Sequence, residues 1–306
     1  MPHILSANQF TKDDIDKILS SAHTMETSLK NGAVKKLLDG KIIACIFYEP
    51  STRTRLSFET AAIRLGANVI SAEDALGNSS AYKGETIEDT ARTISSYADA
   101  IVIRHPIEHT VEAAAKATDT PIINAGDGAN QHPSQGLLDL YTIQKEHGRL
   151  DHLSIAFVGD VLHSRTLRSL IPLLALHQGN TFHFISPESL AISQEYRQEL
   201  IDKKISFTES HNIEDGLPSA DAVYMMRVQK ERFKTQEEYD RIKDAFILKP
   251  EHLALIKKEA IIMHPLPRVN EIDIAIDTDS RASYFRQAQN GLYIRMALLL
   301  YVFNLA

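Results

Sequence analysis

Cysteine occurs once in 306 residues, at Cys45, so neither an intrachain disulfide nor a multi-thiolate metal site is available. That cysteine stands inside an apolar run and reads as a buried core residue. A basic excess is missing too: 33 Lys and Arg stand against 40 Asp and Glu, a formal net charge of −7. This balance argues against a chain-wide nucleic-acid surface, and any anion site must be a local gathering of cations. The first residues lack a basic segment followed by an apolar stretch, so no secretory signal is expected. The longest apolar run near the C-terminus, Met296 to Phe303, is too short to cross a bilayer and shares its helix with Arg286 and Arg295. The expectation is a cytoplasmic protein with no membrane and no nucleic-acid partner. Internal repeats and low-complexity tracts are absent as well. What is present is ordinary for a globular chain, 43% hydrophobic and 24% charged, with a length that suggests about two domains.

Short β-branched runs alternate with longer amphipathic ones, the pattern of parallel sheets with crossover helices. In the first half, strands are expected at Ile42–Tyr48, Asn68–Ser71, Ala100–Arg104 and Pro121–Asn124, with helices at Arg53–Leu65, Thr86–Tyr97 and Thr110–Ala117. In the second half, strands are expected at Ser154–Val158, Thr181–Ile185, Ser206–Thr208, Ala222–Met226 and Ala260–Met263. Helices there are expected at Thr166–His177, Gln194–Lys203 and Gln236–Ala245, with Gln135–His147 linking the halves and Ser283–Asn304 closing the chain. The fold class is therefore α/β, two open doubly wound parallel-sheet domains, with ligands bound in the cleft at the carboxyl ends of the strands.

Ser51-Thr52-Arg53-Thr54-Arg55 follows the first strand and opens a helical pattern. A helix start offers backbone N–H groups without internal partners and a positive dipole end, which together suit a phosphate. The hydroxyls add donors, and Arg53 or Arg55 supplies a bidentate fork. Pro50 before the turn and Gly66 after the helix are start and stop signals. An ordinary N-cap beside two solvated arginines is the competing explanation.

The positions of other polar residues weigh against that alternative. Arg104-His105-Pro106, Ala125 to Gln135, Gly159 to Thr166, Arg227 to Arg232 and His264-Pro265-Leu266-Pro267-Arg268 each follow a strand. With the first turn, six strand ends carry polar or cationic groups in a net-acidic chain, where a ligand crevice is expected. Loop Leu76–Glu85 reads as a surface loop or as a mobile lid carrying Lys83. His105-Pro106-Ile107-Glu108-His109 fits the inverted zinc pattern H-x-x-E-H, but it follows a strand directly where an established helix is required. Val158-Gly159-Asp160 lacks the further glycines of a dinucleotide fingerprint.

Ser51-Thr52-Arg53-Thr54-Arg55, Arg104-His105-Pro106, His132-Pro133-Ser134-Gln135, Arg227-Val228-Gln229 and His264 to Arg268 resemble, in order and spacing, the aspartate carbamoyltransferase family, catalytic chain. The first motif is shared by carbamoyltransferases generally, and the likeness runs from about Leu37 to Leu299. The resemblance implies transfer of a carbamoyl group from carbamoyl phosphate to L-aspartate, in pyrimidine synthesis, with no metal or organic cofactor. It implies a carbamoyl phosphate domain of 1–133 with the C-terminal helix 285–306, and an aspartate domain of 134–284. Ser51, Thr52, Arg53, Thr54 and Arg104 would hold the phosphate. His132, Gln135 and the backbone of Leu266 and Pro267 would hold the carbamoyl group. Lys83, Arg165, Arg227 and Gln229 would grip the aspartate carboxylates. Ser79 and Lys83 would arrive from a neighbouring subunit, completing the site in a homotrimer; whether zinc-bearing regulatory chains join it stays open. Catalysis would rest on Arg53, Thr54, Arg104, His132 and Lys83, and Glu49 would pair with Arg165 and Arg232 on closure. Arg53, Arg104, Arg165, Arg227 and Lys83 roughly match the charge of two doubly anionic substrates.

Two departures stand out: Tyr82 where many relatives have lysine, and His163-Ser164 where they have Tyr-Gly. The second predicts an altered, pH-sensitive affinity for aspartate. The rival within the superfamily takes ornithine, whose extra ammonium Arg227 would repel, and carries cysteine where Pro265 stands.

Overall fold

The computed structural model describes residues 1–75, 83–228, 235–237, 239 and 246–306. The chain divides into two compact units. One comprises Met1–Tyr141, Arg168–Leu173 and Gln289–Ala306; the other comprises Thr142–Leu167 and Leu174–Ala288.

The first unit opens with helix α1 (Lys12–Lys30), which the expected elements do not include. Its Ile15, Ile18, Leu19, Ala22 and Met25 are buried at helical spacing. A capping box starts it: Asp14 N–H donates to Thr11 Oγ1 at 3.2 Å, and Thr11 N–H donates back to Asp14 Oδ2 at 3.0 Å. Then follow β1 (Ile42–Phe47), α2 (Thr52–Arg64), β2 (Asn68–Glu73), α3 (Ile87–Ser95), β3 (Ala100–His105), α4 (Thr110–Lys116), β4 (Ile122–Asp127) and the start of α5 (Pro133–His147). The sheet is parallel in the order β2-β1-β3-β4. β1 and β3 are central and almost wholly buried, which is why they read as continuous apolar runs; edge strand β2 is largely exposed. Cys45 lies buried in β1, and burial foremost, with Glu59 nearby, pushes its thiol up to about 12, so it is inert at neutral pH.

The second unit holds β5 (Ser154–Val158), the start of α6 (Arg165–Ala175), β6 (Thr181–Ile185), α7 (Gln194–Asp202), β7 (Ser206–Ser210), α8 (Ile213–Gly216), β8 (Ala222–Met225), β9 (Ile261–Met263) and the start of α9 (Tyr284–Val302). Its parallel sheet runs β7-β6-β5-β8-β9. Phe157 on β5 packs against Phe184 at 5.9 Å and Tyr224 at 5.7 Å, and full burial of such a ring stabilises by about 1.5–3 kcal/mol. The two units share one device at the foot of the sheet. A loop aspartate accepts the first strand N–H, Ile42 to Asp99 and Ser154 to Asp221, each at 2.9 Å.

Strand positions agree with the sequence pattern to within one to three residues at the ends. The helix expected over 236–245 falls largely outside the described residues. No helix among the described residues is long and apolar enough to cross a membrane.

Candidate active site

In each sheet the strand order reverses once, and there the chain leaves neighbouring strands in opposite directions. In the first unit that switch point lies between β1 and β3, where Phe47 pairs with Arg104 and Tyr48 N–H donates to the Arg104 carbonyl at 2.9 Å. Ser51 through Thr54 therefore sit beside Arg104. Ser51 occupies the N-cap of α2, yet its side chain makes no capping bond. Its hydroxyl thus does not serve the helix, contrary to the ordinary N-cap reading. Thr54 is buried, while Thr52 and Arg53 are exposed.

The structure separates the two arginines of this motif. Arg55 Nη1 meets Glu59 at 3.2 Å and Nη2 meets Glu73 at 2.8 Å, so its charge is spent along β2. Arg53 has no acidic partner among the described residues. Its guanidinium is open to solvent on one side, while desolvation by the protein on the other lowers its pKa from the usual value. It remains a cation at neutral pH. Arg104 Nη2 forms an ion pair with Glu49, and Nη1 donates to the Ala125 carbonyl at 3.4 Å. Glu49 thus pairs with Arg104 in this structure; of its two expected partners, Arg165 belongs to the second unit and Arg232 lies outside the described residues.

His132 and Gln135 follow β4. The intervening turn is built on buried Asp127, whose carboxylate accepts from Asn124 Nδ2 (2.9 Å), Asn130 Nδ2 (2.9 Å), Gln131 N–H (3.1 Å) and His109 N–H (3.0 Å). Gly128, at φ +53°, is needed there because a Cβ would lie 2.7 Å from Glu108 Cγ. Buried His132 donates its N–H to Ser169 Oγ at 2.8 Å, and its Nδ1 lies 3.4 Å from Ser134 Oγ. Gln135 Nε2 donates to the buried carboxylate of Asp139 at 2.8 Å, which leaves the amide oxygen to accept from a ligand.

Neither rival pattern is supported by this geometry. His105 ends β3, its Nδ1 accepts the Ile107 N–H at 3.1 Å, and its ring packs on Tyr48 at 4.8 Å. His109 is left-handed at φ +62° and precedes α4, so the two histidines share no helix. Gly159 serves packing: its added Cβ would lie 2.3 Å from the Met226 carbonyl oxygen.

In the second unit the switch point lies between β5 and β8, which pair from Ile155 with Ala222 to Val158 with Met225. Arg165 and Arg227 follow these two strands, and both are half-buried. Ser164 Oγ accepts the Leu167 N–H at 3.3 Å and so caps α6 where Arg165 begins it. His163 is drawn to buried Asp160, N–H to Oδ1 at 3.0 Å and Nδ1 to Oδ1 at 3.1 Å. After β9, His264 N–H donates to Gln287 Oε1 at 2.9 Å and its Nδ1 accepts the Leu266 N–H at 2.8 Å. Leu266 is held left-handed at φ +54° before a cis peptide to Pro267, a backbone conformation rarely adopted by leucine. Arg268 is a brace: it forms a bidentate pair with Asp277 at 2.5 and 2.6 Å, beneath the ring of Tyr284.

The predicted residues thus fall into two groups, each at the carboxyl ends of its own sheet. Ser51, Thr52, Arg53, Thr54, Arg104, His132 and Gln135 belong to the first unit; Arg165, Arg227, Leu266 and Pro267 belong to the second. Lys83 is exposed in the first unit, and Ser79, Tyr82 and Gln229 lie outside the described residues. Sequence reasoning missed Asp139 and Arg295, both buried behind the first group. Their one signal was a charge inside an otherwise apolar helix stretch.

A helix start suited to phosphate at one switch point and two arginines at the other mark an α/β protein equipped for anionic compounds. Residues 2–145 match the family model described as aspartate/ornithine carbamoyltransferase, carbamoyl-P binding domain, and residues 151–302 match its Asp/Orn binding domain. The chain belongs to the aspartate/ornithine carbamoyltransferase family. It is 48% identical over 299 residues to the aspartate carbamoyltransferase catalytic subunit of Methanocaldococcus jannaschii, covering 98% of this chain and 97% of that protein. It is also 46% identical over 302 residues to the multifunctional protein pyr1-3 of Dictyostelium discoideum, covering 99% of this chain but only 13% of that protein's length. Among solved structures, an M. jannaschii aspartate transcarbamoylase catalytic subunit superposes with a TM-score of 0.92 at 47% identity, covering 99% of this chain and 98% of the other. The Trypanosoma cruzi aspartate transcarbamoylase in complex with N-(phosphonacetyl)-L-aspartic acid superposes with a TM-score of 0.90 at 37% identity, covering 97% and 94%.

Proposed function

We propose that this chain is an aspartate carbamoyltransferase, moving the carbamoyl group of carbamoyl phosphate to L-aspartate as an early step of pyrimidine synthesis. The observation that carries the reading is the pair Arg165 and Arg227 at the switch point of the second sheet, since a dicarboxylate acceptor calls for two cations and ornithine calls for one. Trypanosoma cruzi relatives in complex with carbamoyl phosphate and aspartate support it.

The phosphate of the donor lies at the start of α2, held by Ser51, Thr52, Arg53, Thr54 and Arg104. Gln135 offers its carbonyl oxygen to the carbamoyl amide, aided by the backbone of Leu266 and Pro267. The neutral aspartate amine attacks the carbamoyl carbon, a C–N bond forms, and the C–O bond to phosphate breaks. Charge developing on the carbonyl oxygen is stabilised by Thr54, Arg104 and His132. The amine proton passes to the departing phosphate. Arg165, Arg227 and Gln229 hold the acceptor, and Lys83 and Ser79 reach the site from a neighbouring subunit of a cytoplasmic homotrimer. Association with zinc-bearing regulatory chains would build on the same trimer.

Incubation of the purified chain with carbamoyl phosphate and either aspartate or ornithine tests the reading. Product forms with aspartate alone; product only with ornithine would overturn it. Sizing of the protein, with recovery of activity on mixing Lys83→Ala and Arg53→Ala variants, tests the shared site.

A further inference from the structure

Arg295, on α9, is 3% exposed, and no acidic side chain among the described residues lies within ion-pair distance of it. Its Nε is buried without a hydrogen-bond partner. Its guanidinium carbon stands 5.2 Å from the ring centroid of Phe58 on α2. Gly291, one turn earlier on α9, leaves room for it: a Cβ there would lie 2.3 Å from Arg295 Nη1 and 3.3 Å from Leu138 Cδ2 on α5. The cation is therefore wedged between α2 and α5, about one turn past Thr54 on the first helix and Gln135 on the second. Phe58 is four residues past Thr54, and Leu138 is three past Gln135. Those helix starts carry the donor-side residues. Asp139, next to Leu138, attracts Arg295 electrostatically and accepts from Gln135 Nε2 at 2.8 Å; Arg53 and Arg104 repel it.

A buried cation without an ion-pair partner is a poor stabiliser, because removal from water costs several kcal/mol, of which the Phe58 ring offsets only part. Burial chiefly, opposed by Asp139 and joined by Arg53 and Arg104, brings the Arg295 guanidinium down to about 9, so it stays charged at neutral pH. A charge retained at such expense, directly behind an anion site, points to function.

We propose that Arg295 is a positioning residue for the donor, supplying positive potential beneath Arg53 and Arg104 and supporting the charged Asp139 that orients the Gln135 amide. This rests on the carbamoyl-transfer reading for its substrate, though not for its anion. In a low-dielectric interior its field is poorly screened, so it acts on a phosphate held at the α2 start without touching it.

The test compares wild type with Arg295→Met and Arg295→Lys in the full chain. Inorganic phosphate binding by calorimetry, steady-state kinetics and thermal melting are measured. Arg295→Met weakens phosphate at least tenfold and raises the carbamoyl phosphate KM at least tenfold. It also lowers kcat and leaves the aspartate KM within twofold. Its Tm is equal to or above that of wild type, and Arg295→Lys restores part of the phosphate affinity. A purely structural role would lower Tm and leave phosphate affinity untouched, and that result overturns the proposal. Wild-type protein that binds phosphate without turnover overturns the carbamoyl-transfer reading instead, while the phosphate titration of Arg295→Met still decides this one. If Arg295→Met fails to fold, phosphate affinity of Arg295→Lys equal to wild type overturns the proposal, and a drop upholds it.

Discussion

Gly136 on α5 and Ser169 on α6 stand so close that a Cβ on the glycine would lie 2.6 Å from the Ser169 carbonyl oxygen. The same serine accepts the His132 N–H at 2.8 Å and donates to Gln131 Oε1 at 3.1 Å. Helix contact and site geometry are thus set together. Gly136→Ala is expected to push the helices apart, destabilising by about 1–3 kcal/mol as overpacked contacts do. Turnover falls as well, because His132 and Gln135 move with α5. Urea unfolding and kcat measured on one preparation check both effects, and unchanged kcat would separate the packing from the site.

Arg53 and Arg55 lie two residues apart and so face opposite sides of α2. Arg53→Ala is expected to lower kcat by about 10²–10³, the usual loss for one donor to a reacting anion. Its stability should hardly change. Arg55→Ala should lose up to about 1 kcal/mol of stability with its partly exposed ion pairs and keep most of its turnover. Kinetics and melting of the two variants check the contrast, and a catalytic loss at Arg55 equal to that at Arg53 would contradict the assignment.

Much of this arrangement is legible in the sequence. Strands buried on both faces, such as β1 and β5, announce themselves as apolar runs, and the ligand side follows from sheet topology once their ends are placed. Helix α1 was missed, although its buried Ile15, Ile18, Leu19, Ala22 and Met25 fall at helical spacing. What pattern alone conceals is the choice of partner. Arg268 looks like a site cation until Asp277 and Tyr284 are seen to hold it, and Arg55 looks equal to Arg53 until Glu73 arrives from β2. Asp127 is one unremarked residue of the polar run after β4, whereas four hydrogen bonds make it the frame of its turn. Pairings between residues distant in sequence belong to tertiary structure, and a linear pattern holds no record of them.

The acceptor clamp has its own test. Arg227→Ala removes one of two cations proposed to meet the aspartate carboxylates, and loss of one charge-assisted contact of about 1.5–3 kcal/mol corresponds to a rise in aspartate KM of roughly one to two orders of magnitude. The KM for carbamoyl phosphate should stay near that of wild type. Initial rates over a grid of both substrates measure the split. Equal rises in both constants would mean that Arg227 acts on folding or on the donor.

Asp279 gives a prediction about acid stability away from catalysis. Its carboxylate accepts from Arg281 Nε and Nη2, each at 2.8 Å, and from the Arg281 N–H at 2.9 Å. The bonds from the Arg281 side chain lead in holding this carboxyl down at about 2, against an ordinary 3.8, while burial opposes them. Between those two values the unfolded chain binds a proton that the folded chain refuses, so stability falls with pH there. Above about pH 5 the carboxyl is ionised in both states and the contribution is complete. Asp279→Asn removes the titration. The difference in unfolding free energy between wild type and Asp279→Asn is therefore expected to be constant from neutral pH down to about 5 and to shrink as pH drops through 3.8 toward 2. Urea unfolding at a series of pH values measures it. A difference that stays flat to the acid limit would show that Arg281, which also donates to the carbonyls of Leu253 and Ile256, braces this turn without help from the charge on Asp279.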